Sequence, residues 1–241
     1  MNPVNSPFDA VKIGPLTLRN RFIKSGANEA MCLDGRPTRA LVAHHSELAR
    51  GGVGMTTVAY MAVAPEARTL PNQIWMHPDI LPDLRALTDA VHGEGAAISA
   101  QITHGGSFVT GMKVKGRTIS SSGGLNPAGM LKGNFLQRAM TEADMERVTA
   151  EFVTAARLAR DAGFDAVISV FSLFFVPDMA RQVAELWRLV APGGQLAVTV
   201  WGPGAFEPAA SVFGEELGAI KPGAGVAARP WERLTVPEIL R

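Results

Sequence analysis

Gln101 and His104 stand three residues apart in the run AISAQITH, where an apolar, strand-like stretch gives way to glycines. A carboxamide such as that of Gln101 donates and accepts hydrogen bonds at once. His104 has two readings, a side chain facing a ligand or a solvated loop histidine, and the second is preferred. His44 and His45 are neighbours on a predicted helix, point in different directions and make no obvious metal pair. Cys32 is the single cysteine, which excludes an internal disulfide and any metal cluster built from cysteines. Asp178 opens another predicted helix and reads as an acid favoured by the helix dipole, with a ligand-facing role as the alternative. Tyr60, the only tyrosine, closes a predicted strand, where a core-edge aromatic is as good a reading as a ligand contact.

Short apolar runs alternate with amphipathic stretches, the pattern of repeated strand-helix units around a parallel sheet. A hairpin over Val11 to Leu18 turns at Gly14 and Pro15 and leads to a first strand over Arg21 to Gly26. A helix follows over Thr38 to Arg50, stopped by Gly51 and Gly52, then a strand over Val53 to Tyr60. The next helix runs from about Leu81 to His92, and the third strand covers Ala97 to Thr103. Residues 104 to 140 hold eight glycines and few apolar repeats, which predicts a long excursion from one end of the sheet. Thr141 and Asp144 form a weak capping box for a helix to about Ala162, and Phe164 to Phe171 is the fourth strand. A helix over Asp178 to Val190, a fifth strand over Gln195 to Trp201 and a short helix near Phe213 to Ile220 complete the reading.

Lys plus Arg number 23 against 22 Asp plus Glu in 241 residues, a balance with no electrostatic footprint for nucleic acid or an anionic membrane. With 47% hydrophobic and 19% charged residues the chain can bury one sizeable core. Its start has no basic segment followed by an apolar run, and Ala166 to Val176 is too short to cross a bilayer, so a cytoplasmic protein is expected.

The first 167 residues resemble the N-terminal half of the Old Yellow Enzyme family, the FMN-dependent NADH:flavin oxidoreductases that fold as a (β/α)8 barrel. The segments that carry this are IGPLTLRNRFIKS (Ile13 to Ser25), DGRPT (Asp34 to Thr38), ELARGGVGM (Glu47 to Met55), DAVHGEGAAISAQITHGG (Asp89 to Gly106) and TEADMERVTAEFVTAARLARDAGFDAV (Thr141 to Val167). Each alone is weak, and their order and spacing make the case. The resemblance implies that Ser25, Gly26, Ala27 and Asn28 wrap a flavin, since small residues let backbone amides approach a planar ring. It likewise implies a backbone contact at Tyr60 and a Gln101 carboxamide paired with the pyrimidine edge. Three positions depart from it: Gly26, where the family often has Pro or Ala; Asn28, near a Thr or Cys that tunes the flavin; and Ser107, in place of Arg. Past Val167, a gapless extension puts Val170 and Leu173 where the family holds the substrate carbonyl with two histidines, or a histidine and an asparagine. Neither can donate a hydrogen bond, and losing one such donor typically costs about 100- to 1,000-fold in rate.

From Phe164 to Pro208 the chain resembles the later part of a class I S-adenosylmethionine-dependent methyltransferase, most clearly in the PGG of Pro192 to Gly194. The glycine turn such a cofactor needs is lacking, since Gly52-Val53-Gly54 precedes a strand and Gly223-Ala224-Gly225 lies in the tail. The expected fold class is α/β, a partial (β/α) barrel of about four to five parallel strands whose last βαβ element is methyltransferase-like. Residues 1–167 are expected to form an Old Yellow Enzyme-like half barrel and residues 168–241 a methyltransferase-like segment with a loose tail. By resemblance the function is an NAD(P)H-dependent, FMN-binding oxidoreductase of ene-reductase type, with weak or lost FMN, an activated alkene as substrate and an incomplete active site. A methyltransferase-like protein and a non-catalytic chimeric fold are the alternatives. Unclosed sheet edges predict a homo-oligomer or an aggregation-prone monomer.

Overall fold

The computed structural model describes residues 6–109, 118–120, 123–168 and 208–220, with Arg181 and Ala184 besides. The chain divides into two compact units, residues 1–169 and 170–241.

The first unit opens with the antiparallel hairpin β1 (Val11–Ile13) and β2 (Leu16–Leu18), whose turn residue Gly14 has φ +58°. A parallel sheet follows, built from β3 (Ile23–Lys24), β6 (Met55–Ala62), β8 (Ala97–Thr103) and β12 (Ala166–Ile168) in the order β12-β8-β6-β3. Two further strands, β4 (Cys32–Leu33) and β5 (Arg36–Pro37), make a small hairpin, and β7 (Ile74–Trp75) pairs with the end of β6. Helices α1 (Arg39–Arg50), α2 (Leu81–Gly93) and α3 (Glu142–Asp161) separate the main strands.

Helix boundaries follow local chemistry. The Thr38 side chain accepts from Leu41 N at the start of α1, and Gly51 takes its C-terminal position. The box of Thr141 and Asp144 caps α3 in both directions. Arg138 and Thr141 hold the Asp144 carboxyl well below the usual carboxylate range, Arg138 foremost.

Pairing register sorts the side chains into two faces. Thr56, Val58, Ile98 and Ala100 lie toward the helices; three of them join Leu41 and Ala49 of α1, Leu84, Leu87 and Val91 of α2, and Ala155, Leu158 and Ala159 of α3 in the main core, while Thr56 meets His45 of α1. On the opposite face, Met55 and Ala97 are covered by Leu18 with Val11 and Leu16, so the first hairpin plugs the N-terminal end of the sheet. One layer higher the Thr57 and Ser99 hydroxyls meet at 2.8 Å, both buried. This satisfies two polar groups that would be costly to bury alone.

The strand expected over Arg21 to Gly26 pairs only at Ile23 and Lys24. Beyond Lys24 the chain leaves the sheet and returns as a single bridge from Asn28 to Ala59. The excursion after β8 contains regular structure: β9 (Thr118–Ser120), β10 (Gly124–Leu125) and β11 (Leu136–Ala139) form a small sheet of their own. Of the expected fourth strand, Ala166–Ile168 is seen. Val170, Leu173, Asp178, the strand over Gln195 to Trp201, the PGG segment and Gly223-Ala224-Gly225 lie outside the described residues, as do all but two residues of the helix over Asp178 to Val190. In the second unit, the short helix expected near Phe213 is α4 (Ala209–Ile220). None of the described helices is long and apolar enough to cross a membrane.

Candidate functional site

The candidate residues gather at the C-terminal ends of β3, β6 and β8, the end of a parallel sheet where loops converge on ligands. Along the edge of β6 away from β8, three segments dock in succession: β3 at Met55 and Thr56, Asn28 at Ala59, and β7 at Met61 and Ala62. Ser25, Gly26 and Ala27 bow out between the first two, Ser25 and Ala27 exposed and Gly26 half-buried.

The bow is tied at both ends. The Lys24 ammonium pairs with the Glu29 carboxylate and also donates to the Thr57 carbonyl at 3.1 Å. The Asn28 side-chain oxygen accepts from Ala30 N at 3.2 Å, and Asn72 donates to the Ala30 carbonyl at 2.8 Å. Sequence reasoning missed Lys24 and Glu29; their signal was a lysine in an otherwise apolar strand with an acid five residues later.

Gly26, Ala59 and Gln101 meet in one place. A Cβ added at Gly26 would lie 1.9 Å from Gln101 Oε1 and 3.1 Å from Ala59 Cβ. Gln101 is half-buried, and among the described residues its carboxamide has no hydrogen-bond partner. Tyr60 is half-buried next to Ala59. The structure thus brings Gly26, Asn28 and Gln101 together through Ala59, which the sequence reading had not singled out.

His104 departs from the solvated reading. Its Nδ1 accepts from Gly106 N at 3.1 Å, which leaves the proton on Nε2, and that atom is buried without a partner among the described residues. Burial lowers its pKa, with Glu66 opposing and Arg147 reinforcing the effect. His45 is buried against α1's own sheet contact, its Nδ1 2.7 Å from Thr56 Oγ1, and burial drives it down to about 3 with help from Lys24 and His44. It is a neutral core histidine. Burial, then Glu29, push the Cys32 thiol up to about 12, which removes it as a nucleophile. No grouping of His, Cys, Asp or Glu suited to a metal ion occurs among the described residues. A separate cavity of about 680 Å³ lies beside the starts of β3 and β6, lined by Phe8, Asn20, Phe22, His44, Leu48 and Val53, at the opposite end of the sheet from Gln101.

Residues 6–172 match the NADH:flavin oxidoreductase / NADH oxidase family, a span that runs past Val167. The chain is 42% identical over 167 residues to the 4,4'-dithiodibutanoate disulfide reductase of Rhodococcus erythropolis, covering 68% of this chain and 40% of that protein. It is 27% identical over 168 residues to the multifunctional alkene reductase/demethylase OYE of Caballeronia cordobensis, covering 69% and 24%. In fold it is similar to morphinone reductase in complex with tetrahydroNAD, at 20% identity and TM-score 0.60 over 68% of this chain and 48% of that one. The Old Yellow Enzyme from Pichia sp. AKU4542 gives 21% identity and TM-score 0.60 over 67% and 44%. The chain spans less than half the length of each of these four proteins.

Proposed function

Because the chain belongs to the NADH:flavin oxidoreductase / NADH oxidase family, we propose that Ser25, Gly26, Ala27, Asn28, Tyr60 and Gln101 form one side of an FMN cradle in an NAD(P)H-dependent oxidoreductase. The observation that carries this reading is the convergence of Gly26, Ala59 and Gln101 at the C-terminal end of the sheet, with the carboxamide unpaired. The donor set suits the group: an amide matches the donor and acceptor of a pyrimidine edge, and the exposed, small Ser25 and Ala27 leave their backbone within reach of a flat ring. When bound, FMN supplies the capacity to take hydride from a nicotinamide and pass it to an acceptor. The chain's own part is to orient the ring through Gln101 and the Ser25–Asn28 bow, which the Lys24–Glu29 pair holds in place.

The acceptor in the ene-reductase reading is an activated alkene. The likeness to the dithiodibutanoate reductase makes an organic disulfide the second class to test. Val170 and Leu173, standing where the family's hydrogen-bond donors to the substrate carbonyl are expected, give the reading of impaired reduction, and the reading of weak FMN affinity follows from the family's later strands, with their arginine and phosphate cradle, having no counterpart in this sequence. Since β3 ends the described sheet with Phe22 and Ile23 exposed, the same reading includes self-association through that edge, checked by light scattering. The methyltransferase-like reading of residues 164–208 rests on its residues alone, and calorimetric titration with S-adenosylmethionine decides it.

The main test is an absorbance spectrum of the purified protein with and without added FMN, followed by NADPH oxidation with cyclohexenone or 4,4'-dithiodibutanoate. Perturbed flavin bands with little or no turnover are expected. A spectrum equal to the sum of free FMN and protein rejects the cradle.

A further inference from the structure

The placement of Gln101 carries a consequence for how the site engages its ligand. Gly26 is not one of the residues with a left-handed backbone, so no φ requirement calls for glycine there. What calls for it is space: the Gln101 carboxamide oxygen fills the volume in which a side chain at position 26 would begin, 1.9 Å from the ideal Cβ position. The oxygen accepts no hydrogen bond in this pose among the described residues. It rests in the space beside Gly26 that Ala59 Cβ also borders, and pairing both the donor and the acceptor of the amide with a ligand edge calls for the oxygen to swing out of that space.

We propose that Gly26 is a positioning residue for Gln101: it provides a resting place for the carboxamide, which flavin must draw out before the amide can pair with the ring. The proposal rests on the FMN reading above and adds to it a determinant of affinity. A resting pose that competes with the binding pose weakens apparent affinity by the fraction of molecules that are competent. A methyl group at position 26 closes the resting place. The amide oxygen is the far end of a flexible side chain and can move, and the contact with Ala59 Cβ at 3.1 Å needs only a small adjustment.

Two measurements on the whole chain test this. In 15N–1H spectra recorded without FMN, the Gln101 side-chain amide pair, assigned by its loss in Gln101→Glu, should move in Gly26→Ala and in Gly26→Ser. In FMN titrations of the wild type, Gly26→Ala, Gln101→Ala and the double variant, Gly26→Ala should bind about three- to tenfold more tightly than wild type. The gain should vanish in the Gln101→Ala background, as a coupled pair requires. An unmoved amide, an unchanged or weaker affinity in Gly26→Ala, or an equal gain without Gln101 overturns the coupling. A moved amide with no FMN bound by any of the four proteins rejects the flavin reading and leaves the Gly26–Gln101 relationship standing. An unmoved amide with FMN bound does the reverse.

Discussion

Lys24 and Glu29 form an ion pair across the four residues Ser25 to Asn28, with only 18% and 6% of their side chains exposed. The pair closes a short loop whose middle makes no strand pairing, so its electrostatic attraction replaces the ladder hydrogen bonds that the loop gives up. Removing one partner leaves the other buried and uncompensated, at a typical cost of about 3 to 5 kcal/mol. Glu29→Gln is therefore expected to lower the free energy of unfolding by about 3 kcal/mol in urea titrations and to weaken FMN binding. Lys24→Met combined with Glu29→Leu should recover most of the stability. If the double variant is no more stable than Glu29→Gln, the pair does more than close the loop.

His45 gives the fold an acid limit. Burial holds it down to about 3 in the folded chain against an ordinary value of 6.5. Below about pH 6.5 the unfolded chain takes up a proton that the folded chain refuses until about pH 3. Stability from this group is thus complete above pH 6.5 and lost as the pH falls, at about 1.4 kcal/mol per pH unit. Urea midpoints between pH 7 and 4 should show the advantage of the wild type over His45→Asn shrinking with acidity. A constant gap would mean that His45 takes up its proton as readily in the folded protein as in the unfolded chain.

Cys32 should be unreactive. With its thiol pushed up to about 12, the thiolate fraction at pH 8 is orders of magnitude below that of a free cysteine. Alkylation by iodoacetamide, followed by mass spectrometry, is expected to run on the order of 100-fold slower in the folded chain than in urea. As the single cysteine, it makes the readout unambiguous. Equal rates in the two states would show an accessible, ordinary thiol.

Gly54 stands where backbone meets backbone. A Cβ there would come within 2.6 Å of the Asn20 carbonyl and 2.8 Å of the Asn20 side-chain oxygen, neither of which can retreat without shifting the start of β3. Gly54→Ala should cost about 1 to 3 kcal/mol, as overpacking does. Gly52→Ala meets nothing within 4 Å but sits at φ +100°, so its cost is one of backbone strain. Thermal melts check the first mechanism: adding Asn20→Ala removes one of the two oxygens and should relieve the cost of Gly54→Ala in part.

How much of this was legible beforehand depended on how local the cause was. The helix over Arg39–Arg50, the strand over Ala97–Thr103 and the capping box at Thr141 and Asp144 were readable because apolar periodicity, a glycine stop and a side-chain cap all act within a few residues. The family was readable from ordered motifs. The early end of β3 was not, because Ser25 leaves the sheet on account of what Lys24 and Glu29 do to each other and to Thr57. Nor was the burial of His104, which is decided by a turn back to Gly106 and by the packing around it.

The amino-acid sequence by itself determined the alternation of strand and helix, the caps that bound the helices and the residue types available at one end of the sheet, since each depends on near neighbours along the chain. Tertiary structure alone decided that Gly26, Ala59 and Gln101, spread over 76 positions, occupy one small space. Parallel register is the reason: strands far apart in sequence are set side by side by hydrogen-bond pairing, and whether a glycine leaves room for a distant carboxamide is a matter of ångströms that no spacing along the chain records.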